Sequence, residues 1–388
     1  MKKVKVLALF LVVAMVFAFA ACGANQTAAS ETAAAEETQA AATEAAESAA
    51  TEATESAAAE ETVSEDMVDT TAFKKDGPYT IGFSDIQVVN TWRAQMHNEL
   101  DAAAEEYGVT LYTTDAGGDT SKQVSDIQDL IARGIDALLV APGSTTATNA
   151  VTRQAIQQGI PVFMINAEVD DPEAYTGYVG SNNVDFGYNT AKWLLNEIGG
   201  KGNIIVLNGI AGNSTSTLRE DGFKKALEEL PDGGENINIL ATYYADWAYD
   251  KGKQSAEQAL AAYPQIDAVW SQGGAMSQGV IEAFQAAGRD LVPITGEDNN
   301  GYLKMWNELL PTGFVSIATS DPSWESRVAL ETALNALAGK PVIKDNYITV
   351  PIITNDNLSE YVKPEYSDAY WCSSKLPKEK ADELYLEQ

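Results

Sequence analysis

The sequence predicts an α/β protein of two domains, each a parallel sheet flanked by helices. From about Tyr79 onward, short apolar runs alternate with amphipathic stretches of helical length. The runs are apolar almost throughout, which suits parallel strands covered on both faces. The roughly 310 residues from there to the end exceed what one core usually supports, so two domains are expected. In chain order, the apolar runs place strands at 80–84, 109–113, 137–140, 162–165, 203–207, 238–242, 268–270, 292–295 and 314–318. The amphipathic stretches between them place helices at 92–107, 120–133, 147–158, 187–198, 218–230, 251–262, 278–287 and 323–337. No internal repeat stands out.

Open parallel sheets bind ligands beyond the carboxyl ends of their strands. Attention therefore falls on Ser84-Asp85, Asn166-Ala167-Glu168, Asn208-Gly209, Trp247, Ser271-Gln272-Gly273, Glu297-Asp298-Asn299 and Thr319-Ser320-Asp321.

The start of the chain reads differently. Lys2, Lys3 and Lys5 lead into an unbroken apolar run of 16 residues, 6–21. That length suits a signal peptide and falls short of the roughly 18 residues of a spanning helix. Phe19-Ala20-Ala21-Cys22-Gly23 resembles the lipobox of bacterial lipoproteins, with Phe19 where leucine is usual. The resemblance implies removal of residues 1–21, acylation of Cys22 and anchoring on the extracytoplasmic face of a cell membrane. The plainer alternative is a secretory peptide with an incidental cysteine. Residues 22–75 read as an acidic tether. Twelve acidic residues fall between Glu31 and Asp69, no Lys or Arg stands between Cys22 and Lys74, and large apolar residues are too few to offset the entropy of ordering.

Composition narrows the function. Cys22 and Cys372 are the only cysteines, so an acylated Cys22 leaves Cys372 a lone, packed thiol and no internal disulfide. The net charge of −31 becomes about −34 without the three leading lysines. Such acidity argues against nucleic acid and polyanionic ligands and favours a neutral solute. The single histidine, His97, rules out His-rich metal sites and leaves no base for a Ser-His-Asp or Cys-His arrangement elsewhere. Gly209-Ile-Ala-Gly212 lacks the Gly-Lys-Ser/Thr ending of a phosphate loop and reads as a tight strand-to-helix turn. The acidic stretches 115–119 and 297–301 miss the twelve-residue calcium-loop spacing. No metal or cofactor is expected.

Several segments, in order and at matching spacing, resemble ribose- and galactofuranose-type periplasmic sugar-binding proteins over nearly all of 78–345. They are Ile81-Gly-Phe-Ser84 with Asn90-Thr-Trp92-Arg93, Gly134-Ile-Asp-Ala-Leu-Leu-Val140, Gly159-Ile-Pro-Val162, Gly209-Ile-Ala-Gly212 with Arg219-Glu-Asp-Gly222-Phe223, and Asp267-Ala-Val-Trp270-Ser-Gln272. The resemblance implies a two-lobed type I periplasmic-binding-protein fold with a three-strand hinge. The first lobe would hold 76–181 and 320–348, the second 182–319 and the tail 349–388. It implies a monomer that binds a small neutral sugar in the cleft, closes on it and presents it to an ABC permease.

Carried over residue by residue, the resemblance implies ligand contacts at Asn90, Trp92, Arg93, Asn166, Trp247, Gln272 and Asp298. Trp92 and Trp247 would stack on sugar faces, although tryptophans are more commonly core residues. Asp298 also suits a cap for a helix through Gly301-Tyr302. Arg93 opposes the macrodipole at a helix start, which favours a role in the cleft. The chain departs from the ribose pattern at Asn166-Ala167, where an Asp-Arg pair is usual, at Thr217 for a second arginine, and at Gly273 for an asparagine. Arg219 reads as structural, lying inside a helix. The leading expectation is therefore a solute-binding lipoprotein and no enzyme. Alternatives are a sensor presenting its ligand to a chemoreceptor or kinase, and a glycoside hydrolase using Asp85 and Asp298.

Overall fold

The computed structural model describes residues 67–387. The expected signal peptide, Cys22 and the tether up to residue 66 lie outside the described residues. Strands β2 (Thr80–Asp85), β3 (Thr110–Asp115), β4 (Ala137–Ala141), β5 (Val162–Ile165), β6 (Gly177–Ser181) and β13 (Asp345–Ile348) form one sheet. Its order is β13-β6-β5-β4-β2-β3, and every neighbouring pair is parallel. Strands β7 (Gly202–Asn208), β8 (Ile237–Tyr244), β9 (Ala268–Ser271), β10 (Ile294–Glu297), β11 (Ser316–Thr319) and β14 (Ile352–Thr354) form the second, ordered β14-β11-β10-β9-β7-β8. Only β14 runs antiparallel there.

Side chains on a strand alternate faces, so a run apolar at every position feeds two cores. In β4, Leu139 and Ala141 pack with Phe83, Met96 and Leu330, while Leu138 and Val140 pack with Ile127, Val151 and Met164 on the other side. The second sheet repeats the scheme. Ile205, Leu207 and Val269 enter one core and Ile204, Val206 and Trp270 the other. Each fully buried aliphatic side chain contributes about 1.5–3 kcal/mol, which fixes strand identity and register together.

The chain passes between the lobes three times. β6 ends at Ser181 in the first sheet, and the helix Asn183–Glu197 packs in the second lobe. β11 ends at Thr319 in the second sheet, and the helix Glu325–Leu337 packs in the first lobe. β13 ends at Ile348 in the first sheet, and β14 starts at Ile352 in the second.

The structure departs from the sequence expectations in places. Residues Met67–Lys75, expected within the tether, are ordered against the first lobe. β1 (Met67–Val68) pairs with β12 (Val342–Ile343), and the Lys75 backbone N–H donates to the Leu337 carbonyl at 2.9 Å. Val68 is half-buried and packs against the first-lobe core. β6 was not expected, since its sequence Gly-Tyr-Val-Gly-Ser reads as a turn. The helix expected through Gly301-Tyr302 spans Asn300–Leu309. Its cap is Asn299, whose side chain accepts from the Tyr302 N–H at 3.2 Å, rather than Asp298. No helix among the described residues is long and apolar enough to cross a membrane.

Candidate functional site

The cleft between the lobes holds a cavity of about 180 Å³. One water needs roughly 10–15 Å³ by that measure, so there is room for a small ring-sized ligand.

The first lobe supplies one wall from the start of its long helix, Thr91–Tyr107. Asn90 caps that helix, its side-chain oxygen accepting from the Arg93 N–H at 2.9 Å, and its amide donors have no partner among the described residues. Trp92 lies on the wall with its indole N–H donating to the Asp321 carbonyl at 2.5 Å. It is also a core residue of the first lobe, so its packing and cleft roles coincide. Arg93 sits beside it and pairs with Asp85 at 3.1 Å. Asp85 is fully buried, and its other oxygen meets His97 Nε2 at 2.8 Å. The cation at the helix start is thus neutralised by a carboxylate at the end of β2.

Asn166 follows β5 with φ +67°, a conformation Asn tolerates better than most residues. It donates to Asp321 Oδ2 at 2.7 Å. Asp321 lies in the second crossing between lobes and also accepts from Ser181 at 2.6 Å and Arg219 at 2.8 Å. One carboxylate therefore ties both lobes to the cavity floor.

The second lobe answers with Trp247. Asp246 and Trp247 are consecutive left-handed residues, φ +52° and +53°, each costing on the order of 1–3 kcal/mol. This strained turn lays the indole against Gly209, where a Cβ would stand 2.1 Å from Trp247 Cζ2. The Trp247 indole N–H is buried and has no partner among the described residues, so it is a donor that a ligand could satisfy.

Two expected residues do not reach the wall. Gln272 is fully buried behind it, accepting from the Gly209 N–H at 3.1 Å and donating to Asn208 and the Ser216 carbonyl. Asp298 turns away and accepts from the Ser373 N–H at 2.8 Å. The wall position belongs instead to Glu297, the last residue of β10, because successive side chains point to opposite sides. The hydrolase pair is correspondingly split: Asp85 is held by Arg93 and His97, and Asp298 faces the C-terminal tail.

Arg219 is the largest correction. Expected to be structural, it lines the cavity. Helical side chains lean back toward the N-terminus, so Arg219 reaches from the second turn of Ser214–Glu228 to the cleft. It donates to Asn183, the Gln272 carbonyl, Glu297 at 2.6 Å and Asp321, with Phe186 stacked 3.7 Å from its guanidinium carbon. Thr217, where the resemblance looked for an arginine, instead bonds back to the Asn213 carbonyl. Trp371 from the C-terminal tail completes the wall and was not foreseen.

Glu297 and Asp321 share one guanidinium, which neutralises only one of them. Burial therefore pushes the Glu297 carboxyl up to about 8, Arg219 pulling it down and Asp321 adding to the rise. An unfolded Glu releases its proton near pH 4.3. The folded chain retains that proton up to about pH 8. This contribution to stability is complete below the lower value and is lost as pH rises to the upper one. Thermal unfolding of Glu297→Gln, which cannot titrate there, should fall less steeply with pH across the window than that of the unaltered protein. Parallel curves would refute the assignment.

Residues 81–341 match the family described as periplasmic binding protein domain. The chain belongs to the periplasmic binding protein family. Within it, the chain is 30% identical over 260 residues to the xylitol-binding protein of Mycolicibacterium smegmatis, covering 67% of this chain and 72% of that one. It is 28% identical over 266 residues to the ribose import binding protein of Bacillus subtilis, covering 69% and 84%. A solved galactofuranose-binding protein superposes with a TM-score of 0.66 at 25% identity, covering 73% of this chain and 97% of that one. These periplasmic binding proteins are solute binders and no enzymes. Among the described residues, no group of three or more His, Cys, Asp or Glu side chains could hold a metal.

Proposed function

We propose that this periplasmic binding protein captures a neutral monosaccharide or related polyol and delivers it to an ABC permease, tethered beside it by a lipid on Cys22. The observation that carries the reading is the pairing inside the cleft. Both guanidiniums on the wall, Arg93 and Arg219, are committed to protein carboxylates, so neither offers an unpaired charge to an anion. What the wall offers a ligand includes the amide of Asn90, the Trp247 indole N–H, the Glu297 oxygen not bonded to Arg219 and the faces of Trp92, Trp247 and Trp371. Hydroxyl groups and an apolar ring face match that set. The names of the xylitol and ribose relatives support the same class.

Calorimetry of the chain from residue 23 against pentoses, hexoses and polyols tests this directly, and no binding across such a panel would sink it. Against the sugar that binds, Trp92→Ala and Trp247→Ala should each weaken affinity by roughly 1–3 kcal/mol. Unchanged affinity in both would return these rings to a packing role alone. Loss of uptake of that sugar on gene deletion, and loss of membrane retention on Cys22→Ser, test delivery and anchoring.

A further inference from the structure

Residues 363–387 lie beyond the family match at 81–341, and they tie the two lobes together. On the first-lobe side, the Trp371 backbone exchanges hydrogen bonds with Gln95, N–H to Oε1 at 2.9 Å and carbonyl from Nε2 at 3.0 Å. Glu99 accepts from the Ser374 hydroxyl at 2.7 Å and the Lys375 N–H at 2.9 Å. On the second-lobe side, the very next residues, Cys372 and Ser373, donate their backbone N–H groups to Asp298 at 3.0 and 2.8 Å. Tyr366, Tyr370 and Tyr385 sit in the core of that lobe. The strap is thus a fourth link across the hinge, beside the three chain crossings.

The Trp371 indole leaves this strap toward the cleft. It is buried among first-lobe core residues including Phe83 and Trp92, and its N–H donates to Thr91 Oγ1 at 3.0 Å. Bonds from backbone and ring together fix its orientation, so it is a rigid part of the cavity wall and no swinging gate.

We propose that Trp371 is a specificity-determining residue that selects cyclic sugars over acyclic polyols. This rests on the sugar-binding reading above. A furanose, pyranose or cyclitol ring presents a flat C–H face to an indole, whereas an acyclic polyol must first be ordered and has no fixed face to present. Removing the ring therefore costs cyclic ligands more.

The test is calorimetry of the unaltered chain, Trp371→Leu and Trp371→Phe against cyclic monosaccharides, cyclitols and acyclic alditols. Leucine keeps apolar bulk without a flat ring, and phenylalanine keeps the ring without the Thr91 bond. Trp371→Leu is expected to weaken cyclic ligands about tenfold and alditols by less than about threefold, with most of the loss restored in Trp371→Phe. If the unaltered chain binds sugars and Trp371→Leu keeps its cyclic-to-acyclic ratio within twofold, this inference falls alone. If the unaltered chain binds none of them, the sugar-binding reading falls and takes the inference with it. Should Trp371→Leu fail to fold, the ratio in Trp371→Phe decides, and a shift as large as that expected of leucine overturns the role of the ring.

Discussion

Replacing Arg219 with methionine is expected to abolish measurable ligand binding at neutral pH and to destabilise the fold by roughly 3–5 kcal/mol. The side chain is nearly unexposed, and it serves Asn183, the Gln272 carbonyl, Glu297 and Asp321 at once. Methionine fills much of the volume but leaves the buried Asp321 without its guanidinium and makes ionising the neighbouring Glu297 costlier still. Protonation relieves that penalty, so the deficit should be larger at pH 8 than at pH 5. Arg219→Lys should recover only part, because an ammonium cannot span four acceptors in the plane of a guanidinium. Urea unfolding at the two pH values, with calorimetry at neutral pH, reads all three effects. An Arg219→Met protein as stable as its parent at pH 8 would show that the triad carries no such energy.

The second large effect is expected at Gly222. The helices Asn183–Glu197 and Ser214–Glu228 approach so closely that a Cβ on Gly222 would stand 2.1 Å from the Val184 carbonyl oxygen and 2.6 Å from the Tyr188 nitrogen. Both neighbours are backbone, so no rotamer change makes room and the helices must separate. Gly222→Ala should therefore cost about 1–3 kcal/mol. It should also weaken ligand binding, because Arg219 lies one turn earlier on the displaced helix. A melting temperature and affinity equal to those of the parent would contradict the helix spacing.

The fold was largely legible because its strands are apolar at consecutive positions, as β4 shows with Leu138, Leu139 and Val140 dividing between two cores. β6 escaped notice because Gly177 and Gly180 imitate a turn, and only burial between β5 and β13 makes it a strand. The cleft was half legible. Asn166, Glu297 and Asp321 stand in segments that directly follow strands, whereas Asn90 and Trp92, five or more residues past β2, came only with the resemblance. Preferring Asp298 to its neighbour Glu297 was an error of one residue, which on a strand is an error of side. Arg219 was misjudged because sequence position says where its Cα lies and not how far its side chain leans back. Trp371 offered no local cue, since its place on the wall depends on a return to Thr91 across 280 residues of chain.

The short ladder between Met67–Val68 and Val342–Ile343 has a mechanical consequence. Load applied through the backbone ahead of Met67 enters the first lobe alone, at an edge pair reinforced by the Thr70 hydroxyl on the Lys340 carbonyl. None of the chain crossings lies between that point and the first-lobe core. A leash pulled from this side would load one jaw and leave the links across the hinge out of the line of pull.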